Sequence, residues 1–206
     1  MQQEHQDAEL EAWSPVTYFD SYFEMEAIKI LPGEYYVTRQ DKLLVTVLGS
    51  CVAACIYDRV QGLGGINHFM LPLDRQEQTV IEPSIRYGSH ALEVLLNDLY
   101  KLGADKSQLE AKVFGGGDVL AAPASNLIGE RNADFLLNYL EAEKIPVVSR
   151  GLLGPWPQKV YFFPATGRVL VKKLKRLNNT TIFDREAEYV QRLMSIEVAG
   201  NVELFG

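Results

Sequence analysis

Short apolar runs rich in β-branched and aromatic residues, each closed by a turn signal, dominate the chain up to residue 71. Runs at 28–31 (closed by Pro32-Gly33), 35–38, 43–48, 52–57 and 66–71 predict successive strands, because such side chains fit a pleated, half-buried surface. Residues 72–87 show no period and predict a loop. From Ser89, a residue type that caps helices, Leu92, Leu95, Leu96 and Leu99 recur at helical spacing until Gly103. A strand at 111–114 runs into Gly115-Gly116-Gly117, and Phe135, Leu136, Tyr139 and Leu140 mark the buried stripe of a second helix over 132–144. Strands follow at 146–148, 160–163 and 168–171, the last two joined as a hairpin through Thr166-Gly167. A short helix over 184–194 and a terminal segment over 197–205, turning at Gly200-Asn201, complete the pattern. Strands outnumber helices and do not alternate with them. The pattern therefore predicts an α/β fold of the α+β-like kind, a single layered domain of mixed β-sheet with packing helices rather than a doubly wound sheet.

A length of 206 residues gives one domain with a substantial core. The polar start divides it into a partly disordered extension over 1–26 and a domain over 27–206, although Tyr18, Phe19, Tyr22 and Phe23 imply that part of the extension docks. A net charge of −7 and a pI near 5.1 exclude nucleic acid as the main partner, since phosphate binding needs a basic surface. No apolar run reaches the length of a membrane span, so no membrane insertion is expected. The acidic N-terminus lacks the basic start and apolar stretch of a secretion signal, so a cytoplasmic setting is expected. Cys51 and Cys55, four residues apart, then read as free thiols.

The segment 46–51, Thr-Val-Leu-Gly-Ser-Cys, and the segment 64–72 around Asn67-His68 carry the candidate chemistry. A cysteine becomes a nucleophile when a base or positive dipoles favour its thiolate. Glycine before it permits a sharp turn and leaves backbone N–H groups able to hold an oxyanion. His68 lies seventeen residues beyond Cys51, but a hairpin centred between Val60 and Gln61 sets His68 opposite Ala53 and makes it a diagonal neighbour of Cys51. A one-residue slip would put the two on opposite faces. Taken alone, the apolar run around Cys51 and the alternation of His68 with Ile66 and Met70 fit core residues equally well. Cys55 reads as core. The spacing Cys51-x-x-x-Cys55 with His68 lacks a fourth ligand, so no metal and no cofactor are expected. Gly115–Gly117 lacks the lysine and hydroxyl residue of a phosphate loop and reads as a tight turn.

Several blocks in order resemble the CheD family of chemoreceptor glutamine deamidases. They are residues 30–37 (ILPGEYYV), 46–51 (TVLGSC), 64–72 (GGINHFMLP), 111–117 (AKVFGGG), 128–132 (IGERN) and 162–172 (FFPATGRVLVK). The resemblance implies a layered α/β domain akin to toxins that deamidate glutamine. It implies Cys51 as nucleophile, His68 as base and Thr46 as the third member of the site. Gly49 and Ser50 become candidate donors to an oxyanion, and Asn67 a candidate substrate ligand. The implied partners are methyl-accepting chemotaxis receptors, through their cytoplasmic helical bundle, with a CheC-type phosphatase as a candidate regulator. Two alternatives stand beside this: a non-catalytic receptor-binding adaptor, and a cysteine amidase acting on a small amide.

The chain departs from the family pattern where many relatives read Leu-Gly-Gly and then Pro-Arg-Lys. Here Leu152-Leu153-Gly154 and Pro157-Gln158-Lys159 stand instead. The lost glycine is expected to reshape a loop near the substrate, and the lost arginine to remove an exposed contact with an acidic receptor surface.

Overall fold

Among the described residues, ten strands form two five-stranded sheets. The structure, a computed structural model, describes residues 15–71, 82–117, 125–174, 184–186, 188–189 and 191. The strands are β1 (Val16–Asp20), β2 (Met25–Lys29), β3 (Tyr35–Thr38), β4 (Leu43–Leu48), β5 (Val52–Asp58), β6 (Leu63–Asn67), β7 (Leu109–Gly115), β8 (Val147–Leu152), β9 (Gln158–Phe163) and β10 (Arg168–Lys173). The first sheet runs β1-β2-β4-β9-β10 and the second β3-β6-β5-β7-β8. β2 pairs with β4, and β7 with β8, in parallel; the other pairs are antiparallel. Helices α1 (Glu82–Lys101) and α2 (Ser125–Ala142) cover the outer face of the second sheet.

Alternation along each strand assigns its side chains to separate layers. In β4, Leu44 and Leu48 join Ile28, Val160 and Phe162 against Ala53, Cys55, Ile66 and Phe114 of the second sheet. In β5, Val52, Ala54 and Ile56 point the other way, toward Leu92, Leu95, Leu96 and Leu99 of α1 and Leu136 and Leu140 of α2. Each of those fully buried leucines contributes about 1.5–3 kcal/mol relative to exposure. A smaller cluster on the far face of the first sheet packs Ala27, Leu43 and Val45 under Tyr18, Phe23 and Met25.

The mixed, layered α/β fold is the one expected, but three boundaries move. The division at residue 27 falls inside β2, and pairing of Val16–Asp20 with Met25–Lys29 carries the sheet back into the extension. The first helix begins at Glu82, seven residues before Ser89, so Ser89 is an interior residue and not its cap. Pro83 suits a first helical turn, and Gly88 hides the period because a Cβ there would lie 2.5 Å from both Leu71 and Phe135. The second helix likewise starts at Ser125, before the apolar stripe. At the C-terminal end, residues 184–186, 188–189 and 191 are helical, as expected; the rest of the 184–194 segment and all of 197–205 lie outside the described residues.

Candidate active site

The site is built where β4 turns into β5. The β5–β6 hairpin pairs Cys55 with Ile66 and Asp58 with Leu63, and the bridge Val52–Phe69 continues the same register. Ala53 and His68 are therefore opposite each other, and Cys51 and His68 share the face that looks between the sheets. Both are buried, at 0% and 2% exposure. Thr46, on the inner face of β4 in the opposing sheet, completes the group: its Oγ1 lies 2.8 Å from His68 Nδ1 and 2.8 Å from the Ile30 carbonyl oxygen. A carbonyl can only accept, so the single hydroxyl proton of Thr46 goes to Ile30. Thr46 then accepts from His68 Nδ1–H, and the neutral ring keeps its lone pair on Nε2, which has no hydrogen-bond partner among the described residues.

The backbone at 49–51 is held from one side so that its N–H groups converge on the other. The Gly49 carbonyl accepts from Gly117 N–H at 2.8 Å and the Cys51 carbonyl from Gly116 N–H at 2.8 Å. The Ser50 carbonyl accepts from Asn132 Nδ2 at 3.0 Å, while Asn132 Oδ1 accepts from Leu71 N–H at 2.8 Å. Gly115 has φ +99°, and a Cβ there would lie 2.1 Å from the Cys51 oxygen, so β7 can approach this turn only with glycine. The triple-glycine run, which reads as a mere turn in the sequence, is the clamp of the site.

The freed donors meet a carboxylate. Glu186 Oε1 accepts from Gly49 N–H (2.8 Å) and Cys51 N–H (3.3 Å), and Oε2 from Ser50 N–H (3.1 Å) and Ser50 Oγ (2.7 Å). Nothing in the sequence marks Glu186, since its 135-residue separation from Cys51 leaves no local pattern. Burial first, and then the Glu186 charge and a hydrogen bond from the thiol to it, hold the Cys51 thiol well above its ordinary range. Burial likewise lowers His68 to about 3. The resting pair is a neutral thiol and a neutral imidazole.

Asn67 lies elsewhere. Its Oδ1 accepts from Ala54 N–H (2.9 Å) and its Nδ2 donates to the Ala91 carbonyl of α1 (3.2 Å), on the helix side of the sheet. It joins strand to helix, away from the face that Cys51 and His68 share. Gln158 is corrected from an exposed position to a buried one: it is 5% exposed and donates from Nε2 to the Gly151 carbonyl at 2.9 Å, so it offers no surface contact. Leu153 adopts φ +59°, the left-handed conformation that glycine favours, and its N–H reaches the Gly115 carbonyl at 3.0 Å. A cavity of about 390 Å³ has Lys29, Lys159 and Arg185 as well as Thr46, His68 and Glu186 in its lining. Among the described residues no three His, Cys, Asp or Glu side chains gather as a metal set, and no helix is long and apolar enough to cross a membrane.

The family model described as CheD chemotactic sensory transduction matches residues 70–173. The chain is 58% identical over 188 residues to the probable chemoreceptor glutamine deamidase CheD 1 of Dechloromonas aromatica (strain RCB), covering 91% of this chain and 93% of that one. It is 53% identical over 193 residues to the protein of the same name from Shewanella oneidensis, covering 93% and 94%. It is 56% identical over 189 residues to the probable chemoreceptor glutamine deamidase CheD of Janthinobacterium sp. (strain Marseille), covering 91% and 93%. Among solved structures, the hypothetical protein YfiH of Bacillus licheniformis matches at a TM-score of 0.37 and 16% identity over 59% of this chain and 51% of that one, too remote to bear on function.

Proposed function

The chain belongs to the CheD family, and from that premise we propose that it deamidates glutamine side chains of chemotaxis receptors, with Cys51 as nucleophile and His68 as base. One observation carries the reading: the N–H groups of Gly49, Ser50 and Cys51 converge beside the thiol, on the face shared with a histidine whose Nε2 is unpartnered among the described residues. Donors fixed in this way stabilise a negative oxygen at little reorganisation cost, and removing one such donor typically costs about 100- to 1,000-fold in rate.

The geometry supports the following steps. His68 Nε2 takes the thiol proton as the sulfur attacks the glutamine carboxamide carbon. A C–S bond forms, and the carbonyl electrons move to oxygen, facing the N–H groups of Gly49 and Cys51. The intermediate collapses with loss of ammonia, which carries away the proton from His68. Water, giving a proton to His68, then attacks the thioester; the C–S bond breaks, and glutamate and the thiol are left. Thr46 keeps Nδ1 protonated and so reserves Nε2 for this traffic. Because the resting pair is neutral, proton transfer accompanies attack rather than preceding it. The same reading puts the protein in the cytoplasm, where it meets the receptors' helical bundle.

The test is incubation with a receptor cytoplasmic fragment and peptide mass mapping of glutamine-to-glutamate conversion. Cys51→Ala is expected to abolish conversion and Cys55→Ala to retain it. Full turnover by Cys51→Ala would remove the cysteine from the chemistry; absence of conversion by the parent protein would favour the non-catalytic adaptor.

A further inference from the structure

A nest of donors this complete has a ligand preference of its own. Three N–H groups and one hydroxyl meet two oxygens, and both oxygens accept. A carboxamide in the same pose would turn its NH2 toward the Ser50 N–H, setting donor against donor. A carboxylate, or an oxyanion formed during reaction, leaves no such conflict. Glu186 meets this preference from within the chain. It is 3% exposed, and Tyr189, also 3% exposed, anchors the same helical residues against Gly33 and through a hydroxyl contact with Tyr87 of α1.

Resting on the deamidase reading above, we propose that the Gly49–Cys51 nest is a carboxylate site whose resident ligand is Glu186 of the same chain, a mimic of the reaction's glutamate product that must be displaced before a substrate glutamine can bind. The side chain resembles the product in every atom. It lines the cavity that Thr46 and His68 also line, and its carboxylate fills the nest beside the buried Cys51, so a substrate entering by that cavity meets Glu186 at the nest. Its charge beside Cys51 also disfavours the thiolate. Access and reactivity are therefore closed by one group and released together when it leaves.

The experiment compares the full chain with Glu186→Ala, Glu186→Gln and Tyr189→Ala, the last leaving every group of the nest in place. Site-resolved alkylation by iodoacetamide reads access to Cys51, with Cys55 as internal control, and conversion of a receptor fragment reads turnover. Both Glu186 variants are expected to raise Cys51 alkylation at least about tenfold, as loss of a neighbouring negative charge and of a steric block implies, and to raise kcat/KM. Tyr189→Ala should act in the same direction. Unchanged alkylation of Cys51 in the Glu186 variants would overturn the proposal. So would higher alkylation with lower turnover, which would make Glu186 part of the catalytic machinery. Should Glu186→Ala fail to fold, the isosteric Glu186→Gln gives the same reading. The alkylation arm needs no activity: failure of the deamidase reading shows instead as Cys51→Ala retaining turnover.

Discussion

At the scale of single residues, the site is a set of proton assignments. His68→Ala is expected to lower turnover by about 100- to 10,000-fold, the usual worth of a general base. Thr46→Val keeps the shape but removes the acceptor that fixes the Nδ1 tautomer, so its loss should fall between the parent and His68→Ala. Equal losses for the two would mean that Thr46 does more than orient the ring. His68 also leaves a mark on stability. Its folded pKa is lowered by burial to about 3 from an ordinary 6.5. Protonation thus favours the unfolded chain, and the contribution is fully present above about pH 6.5 and lost as pH falls toward 3. Urea titrations across that window should show up to about 1.4 kcal/mol lost per pH unit from this one proton. The difference between the parent and His68→Gln should narrow as pH falls, and a constant difference would contradict a neutral buried ring.

At the scale of elements, the β4–β5 turn is useful because its neighbours hold it. Asn132 reaches from α2 to the Ser50 carbonyl and the Leu71 N–H, both buried. Asn132→Ala should cost about 1–3 kcal/mol for the partners left unsatisfied, and should lower turnover more than the small stability loss explains. Melting temperature and kcat measured on the same samples separate the two effects. Leu153, just past the end of β8, presents the opposite case, a leucine strained into the left-handed conformation that glycine favours. A left-handed leucine costs about 1–2 kcal/mol, offset by about 0.5–1 kcal/mol of extra freedom that glycine has when unfolded. Leu153→Gly is therefore expected to leave stability equal or raise it by up to about 1.5 kcal/mol, whereas Leu153→Val should lower it, as read from urea midpoints. Leu153 holds a glycine-like conformation at a cost.

At the scale of the whole molecule, charge is distributed against its own average. The net charge is −7, yet Lys29, Lys159 and Arg185 line a cavity that reaches His68. Their proximity registers on Lys29, which burial first, and then Arg185 and Lys159, pull below its ordinary value. A basic mouth on an acidic protein suits an acidic partner surface and repels other approaches. Lys29→Gln with Lys159→Gln should lower kcat/KM toward a receptor fragment by about two- to fivefold per cation at low salt, with the difference shrinking as salt rises. A salt-independent loss would assign these lysines to local structure instead. This mouth takes the place of Gln158, which burial removes from any long-range role. Gln158→Arg should cost about 1–3 kcal/mol through a buried, poorly partnered group, with no salt-dependent gain in turnover.

Most of the strands and their layered class were legible in the sequence, which missed β1 and offered the hairpin register that faces His68 toward Cys51 without excluding a one-residue slip. Those follow from alternation and turn residues within a few positions of one another, and β5 and β6 obey them to the residue. The helix starts at Glu82 and Ser125 escaped because glycine and proline interrupt the period there while close packing preserves the helix. Family-like blocks named Thr46, Cys51 and His68, yet gave no reason for Thr46; only the approach of the two sheets brings its hydroxyl to Nδ1. The same holds for Gly115–Gly117, Asn132 and Glu186. Each acts on residues 49–51 across more than sixty positions of chain, and a contact of that span leaves no periodicity behind. Tertiary packing alone decided which carbonyls are tied back, which N–H groups are left to converge, and which carboxylate they hold.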